Sequence, residues 1–244
     1  MTKTVLSEAY LIEERNSRGS ANSYRGKRAL IRDGFKCVAT GKYDAGPLAR
    51  ANVATAEVLA AGGGWHTECA HIVPESTYFG VGNPRLGDGD ADEKAQVKRE
   101  YSASVLAVLQ RFGYDVSRLS GPKVHSLCNV MTLCKDPHDL FDRLQMWFEA
   151  TETPHTYRII TSDPWYMLPR EGVTFTTHDS VKYPLPSPEL LALHAACAKV
   201  AHLSGASELL DDYDRDTERL GVLDPSGASS DVLAHALAGI DIGA

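Results

Sequence analysis

Two histidines and an aspartate stand at spacings that suit hydrolysis. His71 closes the first strand, read within the apolar stretch 67–74 (TECAHIVP), His138 follows Pro137, and Asp142 lies four residues after His138. Positions i and i+4 of a helix point the same way, so the His138 imidazole and the Asp142 carboxylate can reach one ion. A hard or borderline divalent cation accepts such a nitrogen–oxygen pair and completes its shell with water and phosphate oxygens. Opening a phosphodiester takes a deprotonated water, relief of charge on a phosphorane-like transition state and help for the leaving alkoxide. A neutral imidazole near pH 7 supplies the first, and a metal the other two. His71 is the candidate base, because a strand end held by Pro74 aims it at the helix start. Asn129, nine residues before His138, is the candidate brace, its amide free to bond backbone groups and hold the His71 ring.

These side chains need two strands and a helix to hold them. TECAHIVP predicts a strand whose ladder ends at Pro74, since proline has no N–H to donate. VHSLCNVMTL (124–133) predicts a second buried strand or strand pair, broken by KDP at 135–137. Pro137 suits a first helical turn, so HDLFDRLQMWFEA (138–150) reads as one helix, with Trp147 and Phe148 on it as core or as packing against the long insert. A basic helix is expected from about Tyr24 to Arg32, stopped by Asp33 and Gly34, then a short strand and turn in FKCVATGKYD (35–44). An Ala-rich weak helix at 51–61 stops at three glycines. A Gly- and Asp-rich loop at 80–92 leads into an amphipathic helix at 93–113 carried by Val97, Tyr101, Val105, Leu106 and Leu109. Strands are expected at 157–160 and 173–177, and a helix at 189–205 capped by Gly205. The acidic tail from Ser207 frays at its end.

With 244 residues, 43% of them hydrophobic, the chain can bury one sizeable core with elaborations around it. It shows no signal-peptide pattern and no uninterrupted run of about 18 apolar residues, so a non-secreted, intracellular protein, cytoplasmic or nuclear, is expected, with no membrane role. The five cysteines, Cys37, Cys69, Cys128, Cys134 and Cys197, lack the CxxC pairs of a zinc ribbon and read as reduced, mostly buried thiols. A net charge of −7 argues against coating nucleic acid by bulk electrostatics. Distribution qualifies that: between 15 and 50, nine basic residues face only Asp33 and Asp44, whereas the chain from 205 onward carries nine acids against Arg215 and Arg219. The 15–50 segment is the candidate phosphate-facing surface.

AHIVPES followed by NVMTLCKDPHDLFD resembles the HNH, or ββα-metal, His-Me finger endonuclease superfamily, in particular the branch found in many fungal proteins, where CxxTG precedes the first histidine and HxxFD closes the motif. CVATG at 37–41 matches that lead-in, and the likeness covers roughly 24–160. The resemblance implies an α+β fold: a ββα-metal finger core with a helical insert and additional C-terminal helices. Its expected organisation is an extension at 1–23, a nuclease domain at 24–180 with its insert at about 79–123, and a helical region at 181–244 packed on it. Carried over by position, it assigns His71, Asn129 and His138 to catalysis and His138 with Asp142 to the metal. Relatives often place an Asp or His ligand just before the first histidine, where this chain has Ala70. Asp136 is the residue that could swing in to fill the gap, unless water and phosphate do. The implied ion is Mg²⁺ or Mn²⁺, with Zn²⁺ or Ni²⁺ able to occupy the same ligands, and the implied partner is nucleic acid, DNA ahead of RNA. Oligomeric state is not specified. His66, Glu68 and His125 lie near the motif and could join the site, but each reads first as a surface or structural polar group, and His155, His178, His194 and His202 have no spacing that demands a metal. Two alternatives share the pattern: an HNH-fold enzyme redeployed on a small molecule, and a catalytically silent binding or scaffold module.

Overall fold

Helix α1 (Ala21–Arg32) stops where the sequence punctuates it: Gly34 and Phe35 take φ of 69° and 62°, and the Phe35 amide bonds back to Leu30 O at 2.8 Å. The computed structural model describes residues 21–48, 55–74 and 121–205, with four isolated positions between 107 and 114. Most of the expected insert, its helix at 93–113 and the acidic tail lie outside the described residues. The chain divides into two units, Met1–Ala196 and Cys197–Ala244, and the first carries the elements that position the site.

After α1 the CVATG segment makes a tight turn, with Gly41 at φ 76° and its amide on Cys37 O at 2.8 Å. A side chain at that φ would be strained, so glycine suits the position. Strand β1 (Tyr43–Asp44) then pairs in parallel with β2 (Gly64–Trp65), after a short helix, Thr55–Ala60. Strands β3 (Thr67–His71) and β4 (Val130–Cys134) form an antiparallel hairpin with His71 opposite Val130 and Thr67 opposite Cys134. Helix α2 (Lys135–Asp142) follows β4 without a loop, completing a ββα unit. Strands β5 (Met146–Ala150), β6 (Thr156–Thr161) and β7 (Gly172–Thr174) build a separate antiparallel sheet, and helix α3 (Pro188–Leu203) comes last.

The hairpin is covered on both faces, which is why VMTLC of β4 is buried along its whole length. Ala70 and Ile72 join a cluster with Val38, Met131, Leu133, Phe141 and Phe148, while Cys69 packs on the other cluster, of Ala29, Ile31, Leu127, Val130 and Tyr183. Arg32 ties α1 to the hairpin. Its guanidinium donates to Leu127 O (2.7 Å), Val130 O (2.8 Å) and Pro184 O (3.2 Å) and grips the Asp33 carboxylate, which also accepts the Thr132 amide at 2.9 Å. Arg32 is therefore a core residue and is withdrawn from the expected phosphate-facing surface.

Two further expectations need correction. Residues 124–129 are not strand: they form 3-10 turns, Gly121–His125 and Leu127–Asn129, because the Asn129 side chain takes up backbone groups that a ladder would have used. The motif helix is also shorter than 138–150. Leu144 at φ 61° reverses the chain, and the Arg143, Leu144 and Gln145 amides close on Asp139, Phe141 and Leu140 carbonyls. Met146, Trp147 and Phe148 then continue as a buried strand, an outcome that a short apolar run does not distinguish from helix.

Helix α3 docks on α2 through His194, whose ring stacks on Phe141 at 3.7 Å and whose Nε2–H donates to Phe141 O at 3.0 Å. His194 Nδ1 is buried with no hydrogen-bond partner among the described residues. Burial disfavours the cation and outweighs the Phe141 carbonyl, lowering this histidine to about 4 from its usual 6.5. The unfolded chain thus binds the extra proton first. Stability from neutral His194 is intact above about pH 6.5 and is lost as pH falls toward about 4, with a slope of at most roughly 1.4 kcal/mol per pH unit. Urea midpoints should fall more steeply over that window in the native chain than in His194→Phe; equal acid sensitivity would contradict the assignment.

Candidate functional site

The end of β3 is set from β4 by one buried amide. Asn129, 0% exposed, accepts the Val73 N–H at Oδ1 (2.9 Å) and donates through Nδ2 to Val73 O (2.9 Å) and Val124 O (2.8 Å). The Ile72 amide reaches Asn129 O at 2.8 Å. Asn129 therefore positions two backbone segments together, the one that follows His71 and the one that precedes His125. The two imidazoles meet as a result, His71 Nε2 lying 3.0 Å from His125 Nδ1 with the rings edge-on at 64°. Between two neutral rings one nitrogen must carry the proton and the other accept it, so the pair holds one proton at a defined place.

The second group joins β3 to α2. His138 Nδ1 is 2.7 Å from Glu68 Oε2, and its Nε2 is 3.4 Å from Asp142 Oδ2. Glu68 lies two residues before Ala70, and alternation along a strand puts both on one side. Ala70 is 0% exposed in the apolar core, and Glu68, one strand period earlier, places its carboxylate on His138 Nδ1. Glu68 accepts from Nδ1–H, so Nε2 is the ring atom that faces Asp142. Desolvation pushes the Asp142 carboxyl up; His138 opposes this, and Asp139 and Glu68 add to it. A cation between Nε2 and Oδ2 would relieve that repulsion.

The donors fit a lightly held, hydrated ion. Among the described residues no three His, Cys, Asp or Glu side chains are arranged to hold one metal, since Glu68 and Asp142 approach opposite nitrogens of the same ring. One imidazole nitrogen and one carboxylate oxygen could give a divalent ion two ligands, too few for a closed structural zinc. Of the residues singled out in the sequence, His138 and Asp142 come together, and His71 and Asn129 share the strand end. Asp136 lines a cleft on the opposite side of α2. Glu68 and His125, two of the three polar residues noted beside the motif, contact His138 and His71. Strand alternation from Ala70 could have flagged Glu68, whereas nothing in the spacing marks His125.

The CVATG turn and the cysteines serve the frame. The Val38 amide bonds Thr132 O at 2.9 Å, Thr40 N–H donates to Cys37 Sγ at 3.4 Å, and Thr40 Oγ1 lies 3.7 Å from Cys134 Sγ at the start of α2. Hydrogen bonding from Cys134 lowers the Cys37 thiol to about 6 and pushes Cys134 up. All five cysteines are free thiols: Cys37 and Cys134 are buried, Cys69 and Cys128 partly so, and Cys197 is exposed.

Residues 37–149, from the CVATG turn through the hairpin and α2 into β5, match the model of a family described as HNH endonuclease. No curated protein and no solved structure matches the chain.

Proposed function

We propose, from the premise that residues 37–149 belong to the HNH endonuclease superfamily, that this protein is a metal-dependent endonuclease that hydrolyses phosphodiester bonds, with DNA ahead of RNA as substrate. The observation that supports it most is the row Glu68–His138–Asp142 along β3 and α2, with the Asn129-braced His71–His125 pair at the end of the strand that carries Glu68.

In this reading His138 Nε2 and Asp142 Oδ2 hold Mg²⁺ or Mn²⁺. The ion, when bound, supplies charge stabilisation to the pentacoordinate phosphorus and the departing alkoxide. His71 takes the proton from the attacking water. His125, 3.0 Å away, orients the His71 ring and fixes which of its nitrogens carries a proton. Glu68 fixes the His138 tautomer and makes Nε2 a stronger donor. Asn129 touches no reacting atom and acts through Val73 and Val124.

Incubating supercoiled plasmid with the protein and Mg²⁺ or Mn²⁺ should yield nicked and linear forms, and EDTA should stop the reaction. Intact plasmid and intact RNA across Mg²⁺, Mn²⁺, Ni²⁺ and Zn²⁺ would overturn the proposal. Glu68→Gln should weaken Mn²⁺ binding, measured by calorimetry, by about 10–100-fold. Native affinity in that variant would remove Glu68 from the site.

A further inference from the structure

A cleft of about 260 Å³ opens on the side of α2 away from His138, lined among others by Thr40, Lys42, Trp65, Asp136, Trp165 and Tyr166. Its rim leaves large apolar surface in water: Trp65 is 46% exposed and Trp165 70%. Single exposed apolar residues are ordinary, but aromatic rings gathered around one concavity mark a place where something binds. The volume lies below the about 300–1,000 Å³ of pockets for drug-sized ligands, so it suits one planar ring.

The polar groups narrow the occupant. Lys42 Nζ rides 3.6 Å over the Trp65 ring, placing a cation at an aromatic face, and Thr40 and Asp136 add a hydroxyl and a carboxylate. The exposed Trp165 indole that can accept any π-surface, a cation suited to a phosphate and a carboxylate suited to an exocyclic amine together match a nucleotide with its base unpaired. A paired base has its faces already stacked and its amine engaged. Asp136 and Leu140 face the cleft while His138 and Asp142 project from the far side of a helix about 10 Å across. A base in the cleft therefore belongs to a nucleotide flanking the one whose phosphate meets His138.

We infer that the Trp65–Trp165 cleft is a subsite for an unpaired nucleobase next to the scissile phosphodiester, so that the protein engages single-stranded or locally opened nucleic acid. The inference deepens the nuclease reading and rests on it, but binding can be measured without cleavage. In EDTA, fluorescence anisotropy of a labelled 12-mer single strand should show binding to the full chain, weaker binding of the same strand made abasic, and weaker binding still of the duplex. Trp165→Ala should lose about tenfold in affinity for the normal strand and little for the abasic one, as expected for one lost stack. Trp165→Phe should recover most of that loss. Equal binding of normal and abasic strands, or an unchanged affinity in Trp165→Ala, would overturn the subsite even if plasmid is nicked. Base-dependent binding without any metal-dependent cleavage would instead uphold the subsite and reject the hydrolytic reading.

Discussion

His71→Ala lowers the rate of strand cleavage at saturating Mn²⁺ by about 10²–10⁴-fold, the range for loss of a positioned general base. The side chain sits at the last residue of β3, and what orders that strand end is the Asn129 amide on Val73 and Val124, which the substitution leaves in place. The variant should therefore fold with the native melting temperature. It should also bind Mn²⁺ natively, because the contacts that join Glu68, His138 and Asp142 are left in place by the substitution. Plasmid nicking under single-turnover conditions checks the rate and calorimetry the metal. Native cleavage by His71→Ala would remove the proposed base, and unfolding with no cleavage to lose in the native chain would favour a scaffold role. His125→Ala should cost less than His71→Ala, since it removes a ring that orients the base and not the base.

Arg32→Ala destabilises the fold by about 3–5 kcal/mol, the range for breaking a buried ion pair by removing one partner. The Arg32 and Asp33 side chains are 0% and 2% exposed. Without the guanidinium, the Asp33 carboxylate stays buried with only the Thr132 amide to offset it, and the carbonyls of Leu127, Val130 and Pro184 lose a donor. Arg32→Lys should rescue little, because an ammonium has no planar fork to span a carboxylate and three carbonyls. Urea unfolding measures the change, and a loss below about 1 kcal/mol would show that the network is dispensable. Any activity lost in this variant should track the unfolded fraction, unlike the loss in His71→Ala.

Local chemistry was readable without coordinates. The i, i+4 relation of His138 and Asp142, the strand ended before Pro74 and the stops at Gly34 and Gly205 follow from side-chain geometry over a few residues, and the structure shows each in place. The strand that replaced the second half of the motif helix was not readable. MWFEA carries apolar residues that serve either period, and the choice fell to pairing with β6, residues 156–161, which no local window contains.

By itself the sequence determined which side chains could do chemistry and that a ββα unit would carry them, because those properties live in residue type and short-range periodicity. Only the tertiary structure decided their partners: Glu68 for His138, 70 residues away, His125 for His71, 54 residues away, and Arg32 as a core clamp and not a phosphate ligand. Contacts at that separation depend on strand register and on which face of a sheet is covered, and a charged residue's type is the same whether it ends in water or beneath a helix.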